Sequence, residues 1–184
     1  MTFLRRAGAG TDPAGDRVVW TMSEGRRGRR WREVRASAEG AVVSSLLLET
    51  DPDGRFLHTE LSTAAGLLTL HPEPDGTLHG NVVEGSRVRH VVGLGWDPEA
   101  VLLLEGSSIS VAAVAHLVGV GGLAGRERWP AVLVGLDLAI GVREVAVEQP
   151  AGTSWRFGEG VVVELDADGL PRFVDGGTWP LEVE

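Results

Sequence analysis

Apolar and polar residues alternate in short runs along most of this chain, and segments rich in glycine, proline or aspartate separate the runs. Alternation with a period of two places one set of side chains on each face of a β-strand. The spacing of the runs is typical of an antiparallel meander in a sandwich or barrel. In the first half of the chain the predicted strands are 17–22, 30–38, 41–50, 56–61, 67–71, 77–84 and 87–92.

The turns between these runs contain the residues that hairpins require. Asp51-Pro52-Asp53-Gly54 combines a proline that fixes φ with a glycine that is free to adopt positive φ. The same chemistry returns at 72–76 and at 166–169. In the second half of the chain we predict a hairpin of 132–138 with 142–148, a pairing of 155–157 with 161–165, and a last strand at 173–174.

The run 110–118 is apolar enough to form either a short helix or a buried strand. Val111, Val114 and Leu117 share one helical face, and Ser107 or Ser108 is placed to cap the helix N-terminus. A strand fits nearly as well, because the stiff side chain of valine favours sheets. Between the two, we predict the helix.

These patterns together predict a mainly β fold: a single-domain antiparallel curved sheet, open as a β-roll or barrel, with one short helix. Residues 7–16 are rich in glycine, alanine and aspartate and lack an apolar pattern. We therefore predict a flexible leader over 1–16 and a single β domain over 17–184.

Charge is distributed unevenly along the 184 residues. The net charge is −9, yet residues 1–35 contain nine arginines and four acids, which gives +5, and the remainder carries −14. The basic run 26–32 either contacts phosphates or anionic lipid headgroups, or is a solvated loop and strand balanced by the acidic body. We favour the solvated loop. The acidic body argues against nucleic acid as a partner.

Other compositional features exclude several classes of protein. There is no cysteine, so neither disulfides nor thiolate metal sites contribute. The first residues have no apolar segment behind their charges, so they do not resemble a signal peptide. No segment reaches 18 apolar residues, which argues against integral membrane insertion. We expect a cytoplasmic protein.

The residues give little support to catalysis or metal binding. No two of the five histidines have the spacing with which one element places two imidazoles on a metal ion. The turn at Gly106-Ser107-Ser108 lacks the pattern of a nucleophile elbow, although His116 follows on the predicted helix. We predict no catalytic residue, no metal ligand and no cofactor.

Tryptophan offers a better indication of a binding site. The chain has six tryptophans and no tyrosine, and an indole offers a wide apolar face together with one polar N–H. The segment from Gly93 to Ser110 lies between the two β halves, where we expect the mouth of the β structure. The residues predicted to contact a ligand are Trp96, Asp97, Ser107, Ser108, Trp155 and Arg156.

Two segments resemble a known family. The chain resembles a bacterial family described as glycolipid-binding proteins at two places. The first is Gly93–Asp97 followed by 107–119, and the second is the strand 161–165 with the turn Asp166-Ala167-Asp168-Gly169-Leu170. The resemblance implies a β-roll or half-barrel fold similar to lipoprotein carriers. This chain lacks the family's second aspartate and its Pro-Phe and Asn residues in the first segment, and Val174-Asp175-Gly176 replaces a Tyr-Pro segment.

We therefore predict non-catalytic binding of an amphipathic small molecule, such as a glycolipid or fatty-acyl compound, in a β-lined cavity. One alternative is a hydrolase of small esters or glycosides that uses Ser107 or Ser108 with His116, or Asp97 with a second acid. The other is a self-assembling module without a ligand, such as a homodimer. The first prediction requires a long, dry cavity, and the hydrolase requires its reacting side chains within hydrogen-bonding distance.

Overall fold

The structure is a computed structural model that describes residues 4–12, 14–120, 128–151, 154–157, 161–166, 168–174, 177–178 and 181–182. These residues form sixteen strands and one helix. The elements are β1 Arg5–Thr11, β2 Arg17–Gly25, β3 Gly28–Ala36, β4 Val42–Thr50, β5 Phe56–Thr63, β6 Gly66–Pro72, β7 Thr77–Glu84, β8 Arg87–Gly95, β9 Val101–Leu104, α1 Ser108–Val120, β10 Arg128–Val134, β11 Ile140–Ala151, β12 Ser154–Phe157, β13 Val161–Leu165, β14 Pro171–Val174, β15 Gly177–Thr178 and β16 Leu181–Glu182.

The strands form one continuous sheet in the order β8-β7-β6-β5-β4-β3-β2-β1-β15-β14-β13-β12-β11-β10-β9, and β16 pairs with β1 outside this path. Neighbouring strands are antiparallel except β9 and β10, which are parallel. The predicted fold class is confirmed: the protein is mainly β, with an antiparallel curved sheet that forms a half-barrel and one short helix. The segment Trp96–Ala100 connects β8 to β9, the two opposite ends of the strand order.

Helix α1 is confirmed where the sequence predicted it. It contacts β9, β13, β14 and β3, and its side chains from Ile109 to Val118 are buried apart from the half-buried His116. A helix that is apolar on all sides is stable only when it is surrounded by protein. Among the described residues no helix is both long enough and apolar enough to cross a bilayer.

Two serine residues cap the N-terminus of α1. The Ser107 hydroxyl accepts a hydrogen bond from the Ser110 amide at 3.2 Å, and the Ser110 hydroxyl donates to the Ser107 carbonyl at 2.9 Å. Ser107 is therefore the N-cap, as one of the two predicted choices. The Leu104 amide also donates to the Ser110 hydroxyl at 3.2 Å, which fixes the helix to the end of β9.

The predicted flexible leader is corrected by strand β1. Residues Arg5–Thr11 pair with β2 along their whole length, and Ala7 and Gly8 also pair with β16. Small residues in this segment suggested flexibility, but at least Gly8 is small for a packing reason, because it lies against the indole of Trp20. A Cβ atom at Gly8 would lie 2.5 Å from Cε2 of Trp20, so a side chain at this position would collide with the ring.

Replacing Gly8 with valine is expected to lower the free energy of unfolding by about 1–3 kcal/mol, because the buried Trp20 ring must move or the strand must separate from β2. The matched control is Ala9→Val on the opposite face of the same strand, where Ala9 pairs with the exposed Val19. Urea denaturation of both variants measures the difference. Equal stability of Gly8→Val and the wild type would show that β1 does not hold this position.

Candidate functional site

Trp96 and Asp97 lie in the connection between β8 and β9, and both have structural roles there. Trp96 is 8% exposed and meets Phe56 edge to face, with ring centroids 5.3 Å apart. The Asp97 side chain accepts a hydrogen bond from the Glu99 amide at 2.8 Å, and the Asp97 carbonyl accepts one from Ala100. Trp96 is thus part of the core, and Asp97 stabilises an exposed turn.

Ser107 and Ser108 are buried and surround the carboxyl group of Glu33. The Ser108 hydroxyl donates to Glu33 Oε2 at 3.2 Å, and the Ile109 amide donates to the same oxygen at 3.4 Å. Glu33 lies on β3 and is 2% exposed. This carboxyl therefore takes the place of an anion at the N-terminus of α1, where free amides and the helix dipole favour negative charge.

Burial and polar contacts have opposite effects on the pKa of the Glu33 carboxyl group. Burial raises the pKa of Glu33, and this effect outweighs the nearby Arg35 guanidinium and the hydrogen bonds from Ile109, Ser107 and Ser108, which lower it. Arg35 in turn donates to the Gly106 carbonyl and lies 3.4 Å from a carboxylate oxygen of Asp12. The cluster connects β3, α1 and the end of β1, and its contacts are all internal.

The form of the hydrolase alternative that pairs Ser107 or Ser108 with His116 does not fit this geometry. Ser108 and His116 are eight positions apart on α1, which at a rise of about 1.5 Å per residue separates them by about 12 Å along the axis. His116 lies at the other end of the helix near Gly54. Burial and the nearby Arg29 lower the pKa of His116 to about 4. The imidazole is therefore neutral at pH 7 and too far from either serine to act as its base.

Three other histidines interact with neighbours on the sheet surface. The nearest ring nitrogen of His58 is 3.1 Å from Glu60, that of His71 is 3.0 Å from Glu73, and His90 Nδ1 is 2.7 Å from Asn81. Within the described part of the chain, no three or more His, Asp or Glu side chains are grouped closely enough to hold a metal ion.

Trp155 and Arg156 lie on β12 and point to opposite faces of the sheet. Trp155 is 8% exposed and stacks on Phe157, with centroids 6.5 Å apart. Arg156 is exposed and lies 3.5 Å from Glu148 on the neighbouring strand. The structure brings Ser107 and Ser108 together, but no described contact joins them, Trp96–Asp97 and Trp155–Arg156 into one site.

Between α1 and strands β4 and β5, the described residues leave too little space for an acyl chain. Between the helix and strands β4 and β5 there is a cavity of about 20 Å³, lined by apolar residues such as Leu48, Phe56, Val114 and Leu117. A volume of this size holds about one water molecule. The helix occupies the concave side of the sheet, where a carrier would need a hollow.

A larger concave site lies on the outer face of the sheet, over β1, β2 and β3. It is a groove of about 460 Å³ whose lining includes Arg5, Arg6, Arg30, Arg32, Thr21 and Ser23. The register explains the assembly, because Arg5 pairs with Ser23 and Ser23 pairs with Arg30, so these residues follow one another across three strands. Side chains at directly paired positions project from the same face. We call this the arginine groove.

A second depression adjoins the arginine groove on the outer face of the sheet. It has a volume of about 200 Å³ and shares Arg32 with the groove. Its lining includes the aliphatic side chains of Val34, Leu47 and Leu67 and the polar residues Ser45, Ser62 and Glu60. Val34 and Leu67 are 41% and 39% exposed. We call it the apolar depression.

The arginine groove was not predicted as a site, although its residues had been noticed. The run 26–32 was interpreted as a solvated loop and strand, and Arg30 and Arg32 are indeed exposed. The missing information was the pairing of β1 with β2, which brings Arg5 to the same face as Arg30 through Ser23. A strand prediction for β1 would have supplied it.

Comparison with known proteins leaves the family of this chain open. No family model matches the sequence, and no curated protein sequence matches it. Among solved structures, the chain is similar to a DUF1089 family protein from Pseudomonas aeruginosa, with 12% sequence identity and a TM-score of 0.49. That alignment covers 95% of this chain and 89% of the other.

Proposed function

We propose that this protein binds, without catalysis, an amphipathic small molecule whose anionic head lies in the arginine groove and whose apolar part lies along the apolar depression. The observation that supports this proposal most directly is that the two depressions meet at Arg32. The ligand class is the one that the sequence suggested, but the site is on the outer face of the sheet. An acidic glycolipid belongs to this class.

The arginine groove has the chemistry to hold an anionic head. A guanidinium donates two parallel hydrogen bonds to a phosphate or carboxylate, and it remains charged at every physiological pH. Arg6 already lies 2.7 Å from Asp168, and Arg30 lies 2.9 Å from Glu49. Arg32 has no carboxylate within ion-pair distance among the described residues and lines both depressions, so it can bind an incoming anion beside the apolar depression.

The apolar depression offers exposed aliphatic side chains that a hydrocarbon chain can contact. Val34, Leu47 and Leu67 come from three strands, and contact with a ligand would remove their exposed surface from water at about 25 cal/mol per Å². The methylene stem of Arg32 extends this surface toward the groove. A ligand would thus have its charged and apolar ends on adjoining surfaces of the same sheet.

Calorimetric titration with dodecyl phosphate and with dodecyl maltoside, both as monomers, tests the proposal. The phosphate is expected to bind at least about tenfold more tightly, and Arg32→Ala is expected to remove most of that difference, because a charge-assisted hydrogen bond contributes about 1.5–3 kcal/mol.

The control for this titration is Arg89→Ala, which removes an exposed arginine from β8 and should leave both affinities unchanged. A second variant, Leu67→Ser, is expected to weaken both amphiphiles to the same degree, since it alters only the apolar depression. Equal affinity of the wild type for the two amphiphiles would refute the anionic head, and unchanged binding by Arg32→Ala would refute the site.

A further inference from the structure

We infer that the β2–β3 hairpin end of the sheet docks on the surface of a bilayer that contains anionic lipids. This goes beyond the binding of a single molecule, because the partner is an extended surface. It rests on the shape of the hairpin, on the placement of its charge and on exposed aliphatic side chains farther along its outer face.

The hairpin presents two arginines on a short, fixed loop. Strand β2 ends at Gly25 and β3 begins at Gly28, and these two residues pair, so Arg26 and Arg27 form the whole loop. Gly28 has φ of +110° and lies against the backbone of β4, where a Cβ atom would lie 2.0 Å from the Thr50 carbonyl oxygen. The loop is thereby held at one angle to the sheet.

Arg26 and Arg27 extend the arginine groove to the tip of the sheet. Together with Arg5 and Arg30 they line a further depression of about 310 Å³, which shares Arg5, Ser23 and Arg30 with the groove. The result is a continuous cationic surface from the tip to the outer face of β3. It is wide enough to meet several headgroups at once.

The acids near this surface are already engaged. Glu24 lies 2.7 Å from the buried Arg29, and Glu49 lies 2.9 Å from Arg30. Among the described residues, neither Arg26 nor Arg27 has a carboxylate within ion-pair distance. Because the whole chain carries −9, a negatively charged surface attracts this end and repels the rest, which orients the protein.

The neighbouring side chains favour a bilayer over a nucleic acid. Val19 and Val34 pair directly across β2 and β3 on the outer face, and each is 41% exposed. This pair lies six positions along the strands from Gly25 and Gly28, about 20 Å from the tip, and next to Arg32 on the outer face. An outer face that combines aliphatic groups with arginines suits the boundary between headgroups and acyl chains. Proteins that bind single-stranded nucleic acids use exposed aromatic rings for stacking, whereas every aromatic side chain whose burial is described here is buried.

Sedimentation with lipid vesicles tests the inference. The wild-type protein is expected to pellet with phosphatidylcholine vesicles that contain about 40% phosphatidylglycerol, and to remain in solution with phosphatidylcholine alone. Raising the salt from about 0.1 M to about 0.5 M should release it. The double variant R26A/R27A is expected to bind the anionic vesicles about 25-fold more weakly, at about fivefold for each arginine.

The matched control is the double variant R87A/R89A, which removes the same charge from the edge strand β8 and should keep most of the binding. Equal loss in the two double variants, or equal pelleting with both kinds of vesicle, would overturn the inference. So would tighter binding of the wild type to duplex DNA than to the anionic vesicles at the same salt.

Monomeric dodecyl phosphate separates this inference from the proposed function. R26A/R27A should bind it as the wild type does, because neither arginine lines the arginine groove. Vesicle binding without binding of the monomer would refute the small-molecule site alone, and the reverse result would refute bilayer docking alone.

Discussion

Replacing Trp31 with alanine is expected to lower the free energy of unfolding by about 3–5 kcal/mol. The side chain is fully buried on the inner face of β3, and its direct neighbours across the strands are Met22 on β2 and Leu48 on β4. The Arg29 guanidinium also lies 5.7 Å from the indole centroid. Truncation removes one of the largest buried side chains of the protein and leaves Arg29 without its aromatic partner.

The control for Trp31→Ala is Val34→Ala on the same strand. Val34 is 41% exposed on the outer face, so its truncation should cost less than about 1 kcal/mol. Urea denaturation followed by far-ultraviolet circular dichroism measures both, with Trp31→Phe as an intermediate. A loss for Trp31→Ala no larger than that for Val34→Ala would contradict the strand's orientation.

Replacing Glu33 with glutamine is expected to change how stability depends on pH. Burial raises the pKa of Glu33 above its ordinary value of 4.5, so over a range of pH the folded protein holds a proton that the unfolded chain releases. The stability associated with this proton is complete below pH 4.5 and is lost as the pH rises through the folded pKa. Glutamine has no such proton and avoids this loss.

Urea denaturation of wild type and Glu33→Gln at about pH 5 and about pH 8 measures the effect. The free energy of unfolding of the variant, relative to the wild type, should increase toward high pH. Glu33→Ala is the contrasting variant, because it leaves the Ser108 hydroxyl and the Ile109 amide without their partner, at a cost of about 1–3 kcal/mol. A constant difference between Glu33→Gln and wild type would show that Glu33 does not titrate with folding.

The parts of the fold that were predicted correctly are those with local signals. Alternation and the turn at 51–54 identify strands β4 and β5, and the helix signal comes from the spacing of Val111, Val114 and Leu117 with a serine cap. The leader prediction was wrong for β1, since Gly8 is small because Trp20 lies over it, and sequence shows the glycine without its neighbour.

The arginine groove and the cluster around Glu33 were harder to predict, because both depend on contacts between distant segments. Strand β3 alternates, but its inner face carries Arg29, Trp31, Glu33 and Arg35, so the pattern of apolar residues does not reveal which side is buried. The position of Trp31 could have shown which face is buried, since the alternate positions Arg30 and Arg32 are charged and the tryptophan between them is apolar. The hydrogen bond from Ser108 to Glu33 joins residues 75 positions apart, so no local sequence pattern predicts it.

The strand order also has a consequence for the route by which the chain folds. Strands β1 to β8 pair each with the next, so they can assemble through short loop closures soon after they are made. By contrast, β9 has its partner only in β10 beyond α1, and β1 meets β15 through Thr11 and Thr178. We expect two stages of hydrogen-exchange protection during refolding, with the amides of β4 to β7 protected before those of β9 and β10.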